Sequence, residues 1–295
     1  MKNYINIGKH KIYCEMLGPK NGQPLLYLHG GPGEGCQKFL QYQANRLSKS
    51  FRLIAIDQRG VNRSSAIKKD ESFGINDIIE DIEEIRKKLG YSKWSIIGHS
   101  FGGYLSTLYS IKYPHRVNRL ILDCPSLDID LSIRSLLKHA ATIFLGINKK
   151  QQSIECLEVS ENKYMSPVDM ITYFYKVRSR LGLSIDKLYL KELDIEFFRE
   201  QQTFHSQRLK TYFHLLKLKE EGQLFNSLLP NLCDLTVETL LLRGEYDVVT
   251  CHKQLLNFLK DVQKGSVRTI ENCSHYLWAE EPEQYCKEIN QFLTT

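Results

Sequence analysis

Ser95-Ile96-Ile97-Gly98-His99-Ser100-Phe101-Gly102-Gly103-Tyr104 is the stretch on which the chain turns. Trp94 and the apolar run after it read as a buried strand, and a helical pattern begins directly after Ser100. Between them lies Gly-x-Ser-x-Gly. That pentapeptide alone is a weak signal, so its context decides. A strand before it and a helix after it demand a tight turn, with the serine in strained φ/ψ and its hydroxyl raised above the sheet edge. The helix then passes close to the strand, where side chains at 98 and 102 would collide, so glycine suits both positions. Ser100 is the candidate nucleophile.

Working outward, the pattern alternates. Residues 4–17 predict a hairpin, and Pro24-Leu25-Leu26-Tyr27-Leu28 is a continuous apolar run of the kind buried on both faces of a sheet. It ends in His29-Gly30-Gly31-Pro32-Gly33, followed by an amphipathic helix to about Leu47. Phe51 to Ile56 is the next strand, ending at Asp57-Gln58-Arg59-Gly60. Ile78, Ile79, Ile82, Ile85 and Leu89 repeat at helical spacing across 76–89, with acids early and Lys87 and Lys88 late. A helix from Ser100 to about Tyr113 and a strand from Val117 to Leu122 follow. From Ser126 to Pro230 the pattern turns helical, charged and rich in aromatics, with no strand alternation. Strands at 237–242 and 266–270 and helices at 252–259 and 282–293 then resume the order. The expectation is an α/β fold, a mostly parallel sheet with helices on both faces. Residues 1–125 and 231–295 would form its core and 126–230 a helical cap.

Composition narrows the partners. A hydrophobic share of 42% supports a sizeable core in 295 residues. The net charge of +6 is spread among acids without a basic stripe, which argues against nucleic acid. The first residues carry no apolar signal region, and no run of about 18 apolar residues occurs, so a cytoplasmic protein away from membranes is expected. Eight cysteines without a Cys-x-x-Cys pair read as reduced thiols, so neither a disulfide framework, a metal site nor a cofactor is expected. The sequence says nothing of oligomeric state.

A serine needs a base to take its proton and a third group to orient that base. His275, in Glu271-Asn272-Cys273-Ser274-His275, is the histidine that follows the last predicted strand. Asp247, in Arg243-Gly244-Glu245-Tyr246-Asp247, follows the strand before it; Glu245 and Asp123 are the competing acids. His29 and His99 are expected to pack or to orient loops. An oxyanion needs two donors, and the backbone N–H groups of Phe101 and Gly31 stand at the right ends of strands. Gly30, Val248 and Trp278 are the expected substrate contacts. Asp57 and Arg59 are expected to pair and pin the neighbouring loop.

These motifs resemble the α/β-hydrolase superfamily over essentially the whole chain. His29-Gly30-Gly31-Pro32-Gly33 with Asp57-Gln58-Arg59-Gly60 is similar to the proline iminopeptidase branch of serine aminopeptidases. The Gly244-Glu245-Tyr246-Asp247 run resembles the tricorn-associated members. The resemblance implies a metal-free peptidase that releases an N-terminal residue, often proline, from short peptides, with Ser100, Asp247 and His275 as triad and Gly31 and Phe101 as oxyanion hole.

The chain departs from that branch where the substrate amine would be read. Val248 stands where the tricorn-associated group has a glutamate, Asn62 replaces a glycine, and Gly98-His99-Ser100-Phe101-Gly102 is the elbow of many esterases and carbon–carbon hydrolases. Glu192, Asp194, Glu196, Glu200, Glu220 and Glu221 are the acids that would have to substitute. Two alternatives therefore stay open: an esterase, lactonase or thioesterase on a small uncharged acyl substrate, and a non-catalytic ligand-binding protein.

Overall fold

The computed structural model describes residues 2–191 and 205–294. Eight strands form one sheet: β1 (Lys2–Ile7), β2 (His10–Leu17), β3 (Gln23–Leu28), β4 (Phe51–Ile56), β5 (Trp94–His99), β6 (Val117–Asp123), β7 (Glu238–Gly244) and β8 (Gly265–Ile270). Their order is β1-β2-β4-β3-β5-β6-β7-β8. The β1–β2 hairpin joins antiparallel, Cys14 opposite Ile56, and all later strands pair in parallel. The strands that read as continuous apolar runs are central and buried on both faces, since helices cover each side.

Period-two alternation divides their side chains between two cores. Leu26, Leu28, Ile54, Ile96 and Leu122 face one way. There they meet α2 (Ile75–Lys88), α3 (Phe101–Lys112) and α8 (His252–Asp261) through Ile78, Ile82, Leu105 and Phe258. Leu25, Tyr27, Leu53, Ile97 and Leu242 face the other way, onto α1 (Gln37–Leu47) and α10 (Pro282–Thr294) through Phe39, Tyr285 and Ile289. Tyr27 stacks flat on Phe39 with ring centroids 3.5 Å apart. A one-turn helix that the sequence pattern is too short to announce, α9 (Leu277–Glu280), leads into α10.

Between β6 and β7 run α4 (Ile129–Gly146), α5 (Lys150–Glu161), α6 (Pro167–Leu181) and α7 (His205–Glu221), with a 3-10 segment at Gly182–Leu188. Asp128 caps α4 by accepting the Leu131 N–H, and Ser166 caps α6 by accepting that of Asp169. Leu137, Phe144, Met170, Phe174 and Val177 make a third apolar cluster, which reaches the β7 side through Val249. Among the described residues no helix is long and apolar enough to cross a membrane. All eight cysteines are free thiols.

One expected pairing is corrected. Asp57 is fully buried and binds Arg63, 2.6 Å away, and the Cys36 N–H. Arg59 reaches instead to Asp81 on α2, at 2.6 Å. The loop between them curls back through Gly60 N–H to Ser65 O and Val61 N–H to Gln58 O, with Asn62 at φ 39°. That turn brings Arg63 onto Asp57 and turns Arg59 across to α2.

Candidate active site

Ser100 sits where β5 becomes α3, at φ 53° and ψ −115°. A Cβ on Gly102 would lie 2.1 Å from Leu28 O, and one on Gly98 would lie 2.4 Å from Gly102 O. The close approach that makes glycine obligatory there is also what forces the serine into its strained turn. Ser100 N–H donates to Asp123 O, and Ser100 O accepts from Gly103 and Ser126, so the strained residue is held on both sides.

His275 and Asp247 meet from separate loops. Nδ1 of His275 lies 2.9 Å from Asp247 Oδ1, and both side chains are buried. Asp247 also accepts the N–H groups of Val249 (3.0 Å) and Thr250 (3.1 Å). Burial alone would raise its pKa, but His275 and these two amides win and hold the carboxyl below the usual range. An ionised Asp247 fixes the proton on Nδ1 and leaves Nε2 as the basic nitrogen. The His275 loop has its own brace. Glu280, on α9, accepts the N–H groups of Ser274 (3.1 Å) and Tyr276 (3.2 Å) with one oxygen and that of Lys191 with the other. The competing acids are engaged elsewhere: Glu245 accepts the Asn272 N–H, and Asp123 holds His99 (3.2 Å) and the Tyr285 hydroxyl (3.0 Å).

Two neighbouring cavities open at Ser100, and Gly31 lines both. The inner one is apolar, with Phe101, Ile133, Leu136, Ile171 and Phe174 on its walls. The outer one contains His275, Tyr276 and Glu34. Gly31 has φ 115°, and Phe101 begins α3, so its N–H is one of those a helix leaves without an internal partner. Gly30 packs so close to Ser100 that a Cβ there would come 2.9 Å from the serine Cβ.

His29 orients the loop that carries these glycines. Its Nδ1 contacts Gly30 O at 3.0 Å and its Nε2 accepts the Gln58 N–H at 3.1 Å, while burial lowers its pKa. His99 is buried, with its ring 4.8 Å from that of His275. Burial lowers its pKa, but the Asp123 carboxylate beside it produces a net rise.

Two expected substrate contacts lie elsewhere. Val248 is half-buried against the cap cluster and lines neither cavity; Val249 reaches the inner one, because the Asp247 turn presents the next residue. Trp278 is fully buried in α9, edge-on to Phe39 and Tyr276, and also lines neither. Among the acids considered for a substrate amine, Glu192, Asp194, Glu196 and Glu200 lie outside the described residues, and neither Glu220 nor Glu221 lines either of these two cavities. Glu34, Tyr189 and Arg178 do line the outer cavity, and no fixed sequence spacing flags them.

Cys124, Asp247 and His275 place one donor atom each within 4.8 Å of one another. Burial holds the Cys124 thiol well above its ordinary pKa, and His275 Nδ1 is committed to Asp247. A metal would have to displace both protons, so the set suits a hydrogen-bonded pair better.

A family model for the alpha/beta hydrolase fold matches residues 23–282. A proline iminopeptidase of Neisseria gonorrhoeae is 38% identical over 124 residues, a match covering 40% of this chain and 38% of the relative. One from Saccharolobus solfataricus is 26% identical over 304 residues, covering 99% of this chain and 92% of the relative. The crystal structure of a proline iminopeptidase from Mycobacterium smegmatis superposes with a TM-score of 0.73 at 17% identity, covering 100% of this chain and 98% of that one. The sheet order, the strained serine turn and the extent of the family match agree. The chain belongs to the α/β-hydrolase fold family and is similar to proline iminopeptidases within it.

Proposed function

We propose that the protein is a serine hydrolase working through an acyl-enzyme, with Ser100 as nucleophile, His275 as base and Asp247 as its orienting acid. The observation that carries this reading is the 2.9 Å contact between buried Asp247 and His275, with His275 lining the same cavity as the strained Ser100. His275 Nε2 takes the Ser100 proton as Oγ attacks the substrate carbonyl. The N–H groups of Phe101 and Gly31 receive the oxyanion, and the imidazolium returns its proton to the leaving group. Water, activated in the same way, then releases the acyl group. Residues 1–125 and 231–295 serve as the catalytic core and 126–230 as a cap that walls the acyl pocket.

Similarity to proline iminopeptidases supports small amides, N-terminal proline or apolar residues on short peptides, as substrates. Glu34 is the described carboxylate on the outer cavity that would meet an α-amine. The second reading is an ester, lactone or thioester. It is favoured by the inner cavity, whose walls carry no carboxylate among the described residues. A fluorophosphonate probe should label the wild type and not Ser100→Ala; a folded wild type that resists labelling would sink the hydrolase reading and leave a ligand-binding protein. A panel of prolyl and alanyl p-nitroanilides beside short p-nitrophenyl esters and lactones separates the two substrate classes.

A further inference from the structure

Arg178 stands where substrate must lie. On α6 it shares a face with Ile171, Phe174 and Tyr175, and it lines both the inner and the outer cavity together with Ser100. Its guanidinium rests over the rings of Tyr175 (5.8 Å) and Tyr189 (5.9 Å) and forms no ion pair with a carboxylate among the described residues. Other arginines of the chain do: Arg180, two positions along the same helix, binds Glu155 at 2.9 Å, and Arg59 and Arg63 each hold an aspartate. The platform beneath Arg178 is tied to the base, because Tyr189 O accepts the His275 N–H and the two rings lie 5.7 Å apart. A half-buried guanidinium held by aromatic faces, beside an apolar pocket and without a counter-ion among the described residues, is arranged for an anion that arrives with the ligand.

We propose that Arg178 is a specificity-determining residue that binds a carboxylate carried by the substrate within a few bonds of the scissile carbonyl. The proposal rests on the hydrolase reading for the position of that carbonyl, and it holds for an ester or an amide. The carboxylate has two possible sources. It belongs either to the acyl group, reaching Arg178 from the inner cavity, or to the leaving group, as at the C-terminus of a dipeptide in the outer one.

Two matched pairs distinguish the sources: mono-p-nitrophenyl glutarate against its neutral methyl ester, and prolyl-glycine against prolyl-glycinamide. The wild type should favour the charged member of one pair at least about tenfold in kcat/KM, the scale of a charge-assisted bidentate contact. Arg178→Gln should abolish that preference, read as the ratio of kcat/KM within each pair, and Arg178→Lys should restore part of it through charge without the planar fork. No preference in either pair, or one that survives Arg178→Gln, overturns the proposal. If no substrate turns over, the hydrolase reading is judged by fluorophosphonate labelling, and Arg178 by calorimetric titration with glutarate and glutaramide. Glutarate binding lost in Arg178→Gln supports the assignment; no glutarate binding, or equal binding in the variant, refutes it.

Discussion

Replacing Ser100 by glycine and by alanine separates the strain of the turn from the chemistry of the hydroxyl. Both variants lose the hydroxyl of the proposed nucleophile. Alanine keeps a Cβ and therefore keeps the cost of φ 53° and ψ −115°; only glycine removes it. A residue held so far from the ordinary regions stores about 1–3 kcal/mol. Glycine gives back about 0.5–1 kcal/mol by loosening the unfolded chain. Ser100 is the N-cap of α3 but makes no side-chain cap hydrogen bond, so neither variant forfeits one. The glycine variant should thus exceed the alanine variant by about 0.5–2 kcal/mol. With about 2.1 cal/mol/K of unfolding entropy per residue, a chain of 295 residues loses about 0.6 kcal/mol per degree. The Tm difference is then about 1–3 °C. Guanidinium melts at a shared m-value, with calorimetry beside them, are the assay. A glycine variant equal to or below the alanine variant would show that the turn is not strained, and the steric account of the elbow would fail with it.

Asp247→Asn should keep the fold but lower kcat by about 10³–10⁴, because the amide no longer fixes the proton on His275 Nδ1; single-turnover kinetics on any ester that the wild type cleaves would measure it. Since His275 and two backbone amides outweigh burial and hold Asp247 below the usual carboxylate range, it should stay ionised as the pH falls through that range, and a pH–rate profile should show no step of activity loss from its protonation there. Glu280→Ala removes the acceptor for the amides flanking His275 and should cost about 2–3 kcal/mol of stability and depress kcat, seen by urea melts and kinetics together. His214 is buried on α7, with Nδ1 2.7 Å from Arg59 O, and its pKa is pushed down to about 3 by burial. The unfolded chain takes up that proton below about pH 6.5 and the folded one does not, so stability falls as pH drops from there toward 3, by at most about 1.4 kcal/mol per pH unit. His214→Asn should flatten the profile between those limits, and an unchanged slope would refute the assignment.

The core was legible where short-range rules dictate structure. Continuous runs such as Leu25–Leu28 are strands because both faces are covered, and the helices at Ile75–Lys88 and Phe101–Lys112 announce themselves by period, charge and glycine. Asp247 and His275 were legible for a topological reason: parallel strands deliver their carboxyl ends to one edge, so residues just after β5, β7 and β8 meet there whatever the helices between them do. Pairings that depend on how a loop curls were not legible. Asp57 and Arg59 are two residues apart, yet a tight turn sends one inward to Arg63 and the other across to α2. Trp278 stands three residues from His275, and one turn of helix is enough to aim it into the core.

The same distinction explains why the strained serine turn can be read from ten residues while the cavity beside it cannot. The elbow obeys local sterics, and any chain that must pass a helix so close to Leu28 O needs the same glycines. The inner cavity is assembled from α4, α6, the segment ending at Tyr189 and the turn at Val249, none of which sets the spacing of another. Coupling between the two regions is therefore physical rather than sequential. It runs through Tyr189, whose carbonyl holds the His275 backbone and whose ring carries Arg178. A change on α6 that shifts Tyr189 should be felt at His275, the proposed base, as well as in the pocket, so selectivity and turnover in this protein should vary together when α6 is altered, and separately when only the Arg178 head group is exchanged.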